Sequence, residues 1–208
     1  MKLASKLALA AASLAIAGAA HADYTESFDD LASSGWSLVN LSSPAGLSWF
    51  QGNDGIFASH SGAANSFAMA NFNSANNGVG SIDNWLISPV INLGGATQLS
   101  FYARTENTTG FQDTFNVMFT TTAAGTAGFA PVLAAVQAEA SGWTKYTVQL
   151  PSAATGRIAF EYTVANADNA NVLAVDTVSV TAVPEPSSIA LMGLGVAGLA
   201  LLRRRKQD

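Results

Sequence analysis

From Asp23 onward, apolar and polar side chains alternate with a period of two, in runs parted by clusters of Gly, Asn, Ser and Pro. That is the pattern of short strands with one face buried. The spacing predicts strands over Tyr24–Phe28, Trp36–Leu41 and Leu47–Gln51, and a fourth, of ambiguous facing, over Ser66–Phe72. Residues 73–83, rich in Asn, Gly and Ser, read as a loop. A strand follows over Asn84–Ile91, with Pro89 marking an edge or a bulge. The alternation is clearest next: Leu99, Phe101 and Ala103 face one way and Ser100, Tyr102 and Arg104 the other, and Phe115, Val117 and Phe119 repeat it.

Gly125–Ser141 breaks the pattern, and Pro131–Ala140 is compatible with a short helix. Three closing strands are expected over Trp143–Leu150, Arg157–Val164 and Asn171–Thr181. About ten short strands without intervening helices predict an all-β fold, two antiparallel sheets packed face to face as a jelly-roll sandwich.

The two ends differ from this pattern. Lys2 and Lys6 precede an apolar run from Leu7 to Ala20, and Ala20-His21-Ala22 has the form of a cleavage site, so residues 1–22 are expected to be a signal peptide. At the other end Pro184-Glu185-Pro186 stops the preceding structure. An uncharged run from Ile189 to Leu202 then meets Arg203, Arg204, Arg205 and Lys206. Basic residues after an apolar segment stay inside, so one C-terminal transmembrane helix is expected, with the domain outside. Ser187–Leu202 would span about 24 Å as a helix, short of the ~30 Å hydrocarbon core. The division is therefore a leader over 1–22, one domain over 23–182 and an anchor over 183–208.

Charge narrows the partners. Between Asp23 and Ala182 the basic residues are Arg104, Lys145 and Arg157, against twelve Asp and Glu. Such a surface excludes nucleic acid and suits divalent cations. The chain has no cysteine, so packing must hold the fold.

Catalytic chemistry is poorly supplied. The domain has one histidine, His60, between two serines, which reads as a loop or turn residue, and no G-x-S-x-G elbow supports a Ser-His-Asp set. Glu161 is the one mid-strand glutamate late in the chain, where a glycosidase needs two acids. The reading is a non-enzymatic domain, with a secreted hydrolase or lyase acting on polysaccharide as the alternative. Strict alternation puts Asp176 on one face with Val172, Ala174, Val178 and Val180, where an unpaired carboxylate would cost several kcal/mol, roughly. A calcium ion would answer it, with Glu26, Asp29 and Asp30 as further oxygens; so would a rim position bonded to loop amides, or pairing with Arg104 or Arg157. Trp36, Trp85 and Trp143 fall at strand starts, where burial is expected. In Trp49-Phe50 adjacent residues point opposite ways, which makes Trp49 a candidate ligand-binding platform.

Two resemblances add to this. Pro184-Glu185-Pro186, the apolar run and the Arg203, Arg204, Arg205 cluster resemble the PEP-CTERM sorting signal of exopolysaccharide-producing Gram-negative bacteria. That implies recognition by an exosortase and passage to the cell surface. The strings YTESFDDLASSGW, DNWLISPVINLGGATQLSFYAR, WTKYTVQLPSAATGRIAFEYTV and VLAVDTVSV resemble the choice-of-anchor J family, itself similar to MAM and cleaved adhesin domains, all jelly-roll sandwiches. The relatives' structural calcium site implies Glu26, Asp29 and Asp176 as ligands. Together these predict an exported cell-surface or matrix protein that binds, or packs within, exopolysaccharide.

Overall fold

The computed structural model describes residues 23–183 apart from 107, 112 and 123, together with residue 195. The expected leader over 1–22 lies outside the described residues, as do Pro184, Glu185, Pro186 and the Arg203, Arg204, Arg205 cluster. Among the described residues no helix is long and apolar enough to cross a membrane.

The domain is all-β and antiparallel. Its strands are β1 (Tyr24–Glu26), β2 (Ser37–Asn40), β3 (Phe50–Gln51), β4 (Ala68–Asn71), β5 (Ile82–Ile87), β6 (Ile91–Arg104), β7 (Thr114–Thr120), β8 (Ala130–Gln137), β9 (Thr144–Val164) and β10 (Val172–Ala182). One sheet, here the A sheet, runs β3-β4-β10-β6-β9, with β1 beside β10 beyond the end of β4. The B sheet runs β2-β5-β9-β7-β8.

β9 belongs to both sheets, although its sequence reads as two strands parted by Pro151 to Gly156. Its first half pairs with β6, and from Arg157 onward it pairs with β5 and β7. Pro151 has no N–H to give, and it falls where the β6 register slips between Gly95 and Thr97. Gly156 lies at the crossing, where a Cβ would come 2.4 Å from the Phe119 ring. A side chain there would push the two sheets apart.

The main core lies between the sheets. Leu99, Phe101 and Ala103 of β6 face Phe115, Val117 and Phe119 of β7 and Phe160 and Tyr162 of β9, as the alternation requires. Phe101 stacks on its cross-strand partner Tyr146 at 5.3 Å and meets Phe160 edge-on at 4.8 Å. Each large side chain buried here contributes roughly 1.5–3 kcal/mol.

Three expectations are corrected. Residues 130–137 form a strand, not a helix: pairing with the edge of β7 outweighs the weak preference of its alanines, and Ala135 takes a positive φ of 51° where the register slips. Trp49 is 2 % exposed, with its indole N–H donated to the Asn84 carbonyl at 3.1 Å, so it is a core residue and no platform. Adjacent residues do point opposite ways here, but Phe50 takes the outer side, packed on the cluster there, and Trp49 takes the core. Asp176 does not share a face with Val178 and Val180. Thr177 at φ 49° makes a bulge in β10, so Leu173, Val175, Val178 and Val180 all point into the main core. Val172 and Ala174 join a small cluster on the outside of the A sheet, and Asp176 lies on that side with them.

Candidate functional site

The loop from Gly52 to Phe67 folds across part of the outer face of the A sheet. Phe57 and Phe67 seat it there against Met69, Val172 and Ala174. The Trp143 indole closes this cluster edge-on to Phe57 and Phe67 and donates its N–H to the Ala58 carbonyl at 2.9 Å. Next to it, the Arg104 guanidinium lies 4.0 Å over the Phe57 ring and 5.8 Å from that of Trp143. Its hydrogen bond within the protein is weak, from Nε to the Thr105 carbonyl at 3.4 Å.

Register explains what stands beside it. Asp176 of β10, Tyr102 of β6 and Lys145 of β9 form one row across three strands. The exposed His60 ring lies flat on Tyr102, centroids 3.4 Å apart, with Nδ1 2.9 Å from Thr177 Oγ1. The rows that follow carry only hydroxyls and amides: Ser179, Ser100 and Thr147, then Thr181, Gln98 and Gln149. These side chains are half-buried or exposed. The result is a flat polar surface with an aromatic and cationic edge.

Asp176 is fully buried beneath this edge. Its Oδ2 accepts from the backbone N–H of His60 at 2.8 Å and of Ser61 at 3.1 Å, and its Oδ1 from that of Thr177. Burial pushes its carboxyl above the ordinary range, and these donors pull it back. Asp176 thus holds the loop down at the point where β10 passes from β4 to β1. That matches the loop-amide alternative and not the pairing with Arg104 or Arg157.

The other two predicted ligands lie near the start of the domain. Glu26 Oε1 accepts from the Phe28 N–H at 2.7 Å. Gln51 ties this turn down, accepting from Leu31 N–H at 2.7 Å and donating to the Phe28 and Asn65 carbonyls. Asp29 is thereby set against the loop: a Cβ on Gly62 would lie 3.0 Å from Asp29 Oδ1 and 3.3 Å from Ser66 Oγ. Ser66 Oγ is buried without a hydrogen-bond partner. Among the described residues no three acidic or histidine side chains gather closely enough to hold a metal by themselves, so Glu26, Asp29 and Asp176 do not form one cluster.

Other polar groups are accounted for. Buried Asp113 accepts from Tyr162 OH, Thr105 Oγ1 and Asn171 N–H, a closed network that ties β7 to β9 and β10. Glu161 and Asp83 approach each other on the outer face of the B sheet, where Asn116 and Trp85 donate to them. At one end of the sandwich Phe72 and Phe111, both partly exposed, flank a shallow cleft of about 290 Å³ that also reaches Asn77, Asp168 and Asn171. The His60 ring meets a hydroxyl but no carboxylate among the described residues, so it lacks the partner a nucleophile and base arrangement requires.

Sequence reading expected Trp143 buried, offered Arg104 only as a partner for Asp176, and left Tyr102 and Lys145 unassigned. Alternation does put Tyr102 and Arg104 outside. That Lys145 stands opposite Tyr102, and that His60 lies on it, needs strand register and a long-range loop contact.

These features define a β-sandwich with one sheet face left open and edged by aromatic side chains. The family model of the Cleaved Adhesin Domain matches residues 22–180, and the chain belongs to that family. The PEP-CTERM protein-sorting motif matches residues 182–206. Among solved structures, the K1 cleaved adhesin domain of Lys-gingipain from Porphyromonas gingivalis W83 is 21% identical, with a TM-score of 0.65 over 78% of this chain and 99% of that one. The K3 domain of the same protein is 22% identical, with a TM-score of 0.62 over the same shares. At such identities the likeness is one of fold. No curated protein matches the chain. Domain and motif together mark an exported, cell-surface protein.

Proposed function

We propose that this protein is a non-catalytic adhesin of the extracellular matrix that holds polysaccharide on the open face of its A sheet. In this reading an exosortase acts at Pro184-Glu185-Pro186, and the apolar segment ending in Arg203, Arg204 and Arg205 holds the chain in the membrane until then. The observation that carries the binding role is the surface itself: successive rows of Ser, Thr and Gln that end at the stacked His60 and Tyr102 rings. Hydroxyl and amide groups exchange hydrogen bonds with sugar hydroxyls, and flat rings pack against the apolar faces of sugars. The test is to mix the purified full-length protein with polysaccharide from the matrix of the producing cells and sediment the polymer. The protein is expected in the pellet with polymer length unchanged. Protein left in the supernatant rejects the binding role, and shortened polymer supports the hydrolase or lyase alternative.

Calcium belongs to the same proposal as a structural ion. Buried, unpartnered Ser66 Oγ and the nearby Asp29 suit a hard cation, and Glu26 would complete the acidic side. When bound, calcium would supply a positive centre that ties the N-terminal turn to the loop over the A sheet. An ion at about 100 times its Kd adds roughly 2.7 kcal/mol, or about 5–10 °C in melting temperature for a domain of this size. Asp29→Asn should erase the difference between calcium and EDTA. Asp176→Asn should lower melting in both, since it weakens three backbone hydrogen bonds. Identical melting of the unaltered protein in the two buffers rejects the ion.

A further inference from the structure

The described domain has few cations, and two of them are neighbours. Tyr102 is paired with Lys145 and Ala103 with Thr144, which sets Arg104 diagonally next to Lys145 on the outer face of the A sheet. Side chains so placed come within about 7–8 Å of each other at their roots. Like charges there repel, and no carboxylate is hydrogen-bonded to either one among the described residues. Glu106, the acid that acts on Arg104, has Oε2 engaged by Asn171 Nδ2 at 3.1 Å. Asp176, in the same row as Lys145, has its oxygens turned to backbone amides beneath His60. In a domain with twelve acids, neither cation is held in an ion pair among the described residues, and Glu106 acts on Arg104 without being hydrogen-bonded to it.

The surroundings say what kind of anion fits. Arg104 is held flat by the Phe57 and Trp143 rings, and its two terminal amino groups make no hydrogen bond among the described residues. A planar fork fixed in this way matches a carboxylate. Next to it lie the outward face of the His60 ring and the exposed Lys145. The hydroxyl and amide rows then continue along the sheet in steps of roughly 7 Å, two residues of strand at a time. A small inorganic anion would use the fork and leave the rings and rows unused. A polymer of acidic sugars would use all of them.

We infer that the polysaccharide held on this face is a polyuronate, with one carboxylate on Arg104 and Lys145 and the sugar rings lying over His60, Trp143 and the rows beyond. This rests on the binding role proposed above and names its ligand class.

The test measures binding of the detergent-solubilised full-length protein to polygalacturonate and to its methyl ester, in EDTA, so that calcium bridging plays no part. The ester keeps the rings and hydroxyls and loses the charge. Esterification is expected to weaken binding about tenfold or more, and Lys145→Gln to weaken binding to the acid by about tenfold and binding to the ester by much less. Arg104→Gln should have the larger effect of the two, and raised salt should weaken the acid complex only. Lys145 is exposed and its substitution leaves the core untouched, so loss of folding cannot stand in for loss of binding. Equal binding of acid and ester, or an undiminished affinity in Lys145→Gln, overturns the acidic ligand and leaves polysaccharide binding in place. Loss of binding to both polymers on Phe72→Ser, with Arg104→Gln without effect, moves the site to the cleft at the sandwich end. Absence of binding to either polymer overturns the inference, and the matrix sedimentation above then decides the broader reading separately.

Discussion

Each sheet carries one arginine on its outer side, and the two are used in opposite ways. Arg157, 6 % exposed, donates from Nε to the Thr122 carbonyl at 3.0 Å and from Nη2 to the Gly125 carbonyl at 2.8 Å. Its guanidinium also lies 5.3 Å from the Phe129 ring, which covers Trp85. It is a clamp that pins the loop between β7 and β8 over an apolar strip of Trp85, Ile87, Met118 and Ala159. Arg104 is held by rings and one weak bond to the Thr105 carbonyl, and its terminal amino groups make no hydrogen bond among the described residues. The outer face of the B sheet is thus closed by its own chain, and that of the A sheet is closed only over its Phe57 and Phe67 corner. The same residue type closes structure on one side and, in the reading proposed above, serves recognition on the other, and what separates them is whether a backbone carbonyl reaches a terminal amino group of the guanidinium.

The largest expected effect that sharpens this contrast is in Arg157→Ala. It strands two carbonyls and loosens Phe129, at a cost of about 2–3 kcal/mol, or roughly 5–10 °C in melting temperature, with polysaccharide binding retained. Arg104→Gln removes a cation over aromatic rings, which is worth about 1 kcal/mol, and should lower melting by only about 2–4 °C. If thermal denaturation shows the two variants equally destabilised, the contrast fails.

The smallest effect concerns the acids of the closed face. Burial raises the Glu161 carboxyl, the Asn116 hydrogen bond lowers it, and nearby Asp83 raises it again, for a net upward shift. A carboxyl raised in the folded state holds a proton that the unfolded chain has released. Stability therefore falls as pH rises from the ordinary carboxylate range through the raised value, and above it the full penalty remains. Glu161→Gln should remove that decline and melt slightly higher than the unaltered protein at neutral pH. A pH-dependent melting curve unchanged by the substitution would show that Glu161 is already comfortable as an anion.

Much of this was legible in the residues, because alternation is a local signal. Leu99, Phe101, Phe115 and Phe160 were placed inward correctly, and so was the outward facing of Tyr102 and Arg104. What misled was local irregularity with a distant cause. The bulge at Thr177 changes the face of every residue after Asp176, and nothing in VLAVDTVSV announces it. Trp49 and Phe50 do point opposite ways, but alternation alone does not say that Trp49 takes the core and Phe50 the outer side. The Arg104 and Lys145 pair belongs to two strands whose register is set by a bulge and a proline, so no reading of either strand alone brings them together.

The order in which the strands become available has its own consequence. β10 lies between β6 on one side and β4 and β1 on the other, so the first strand of the domain finds its partner only when the last has been delivered. A chain exported from its N-terminus must keep β1, β4 and β6 waiting for Val172–Ala182, and such distant pairing is slow to form. The sorting motif begins at residue 182, where β10 ends, with no spacer between them. Under the function proposed above, completion of the sandwich and presentation of the motif are nearly one event, and a sorting enzyme would meet its signal directly against a domain that has only just closed.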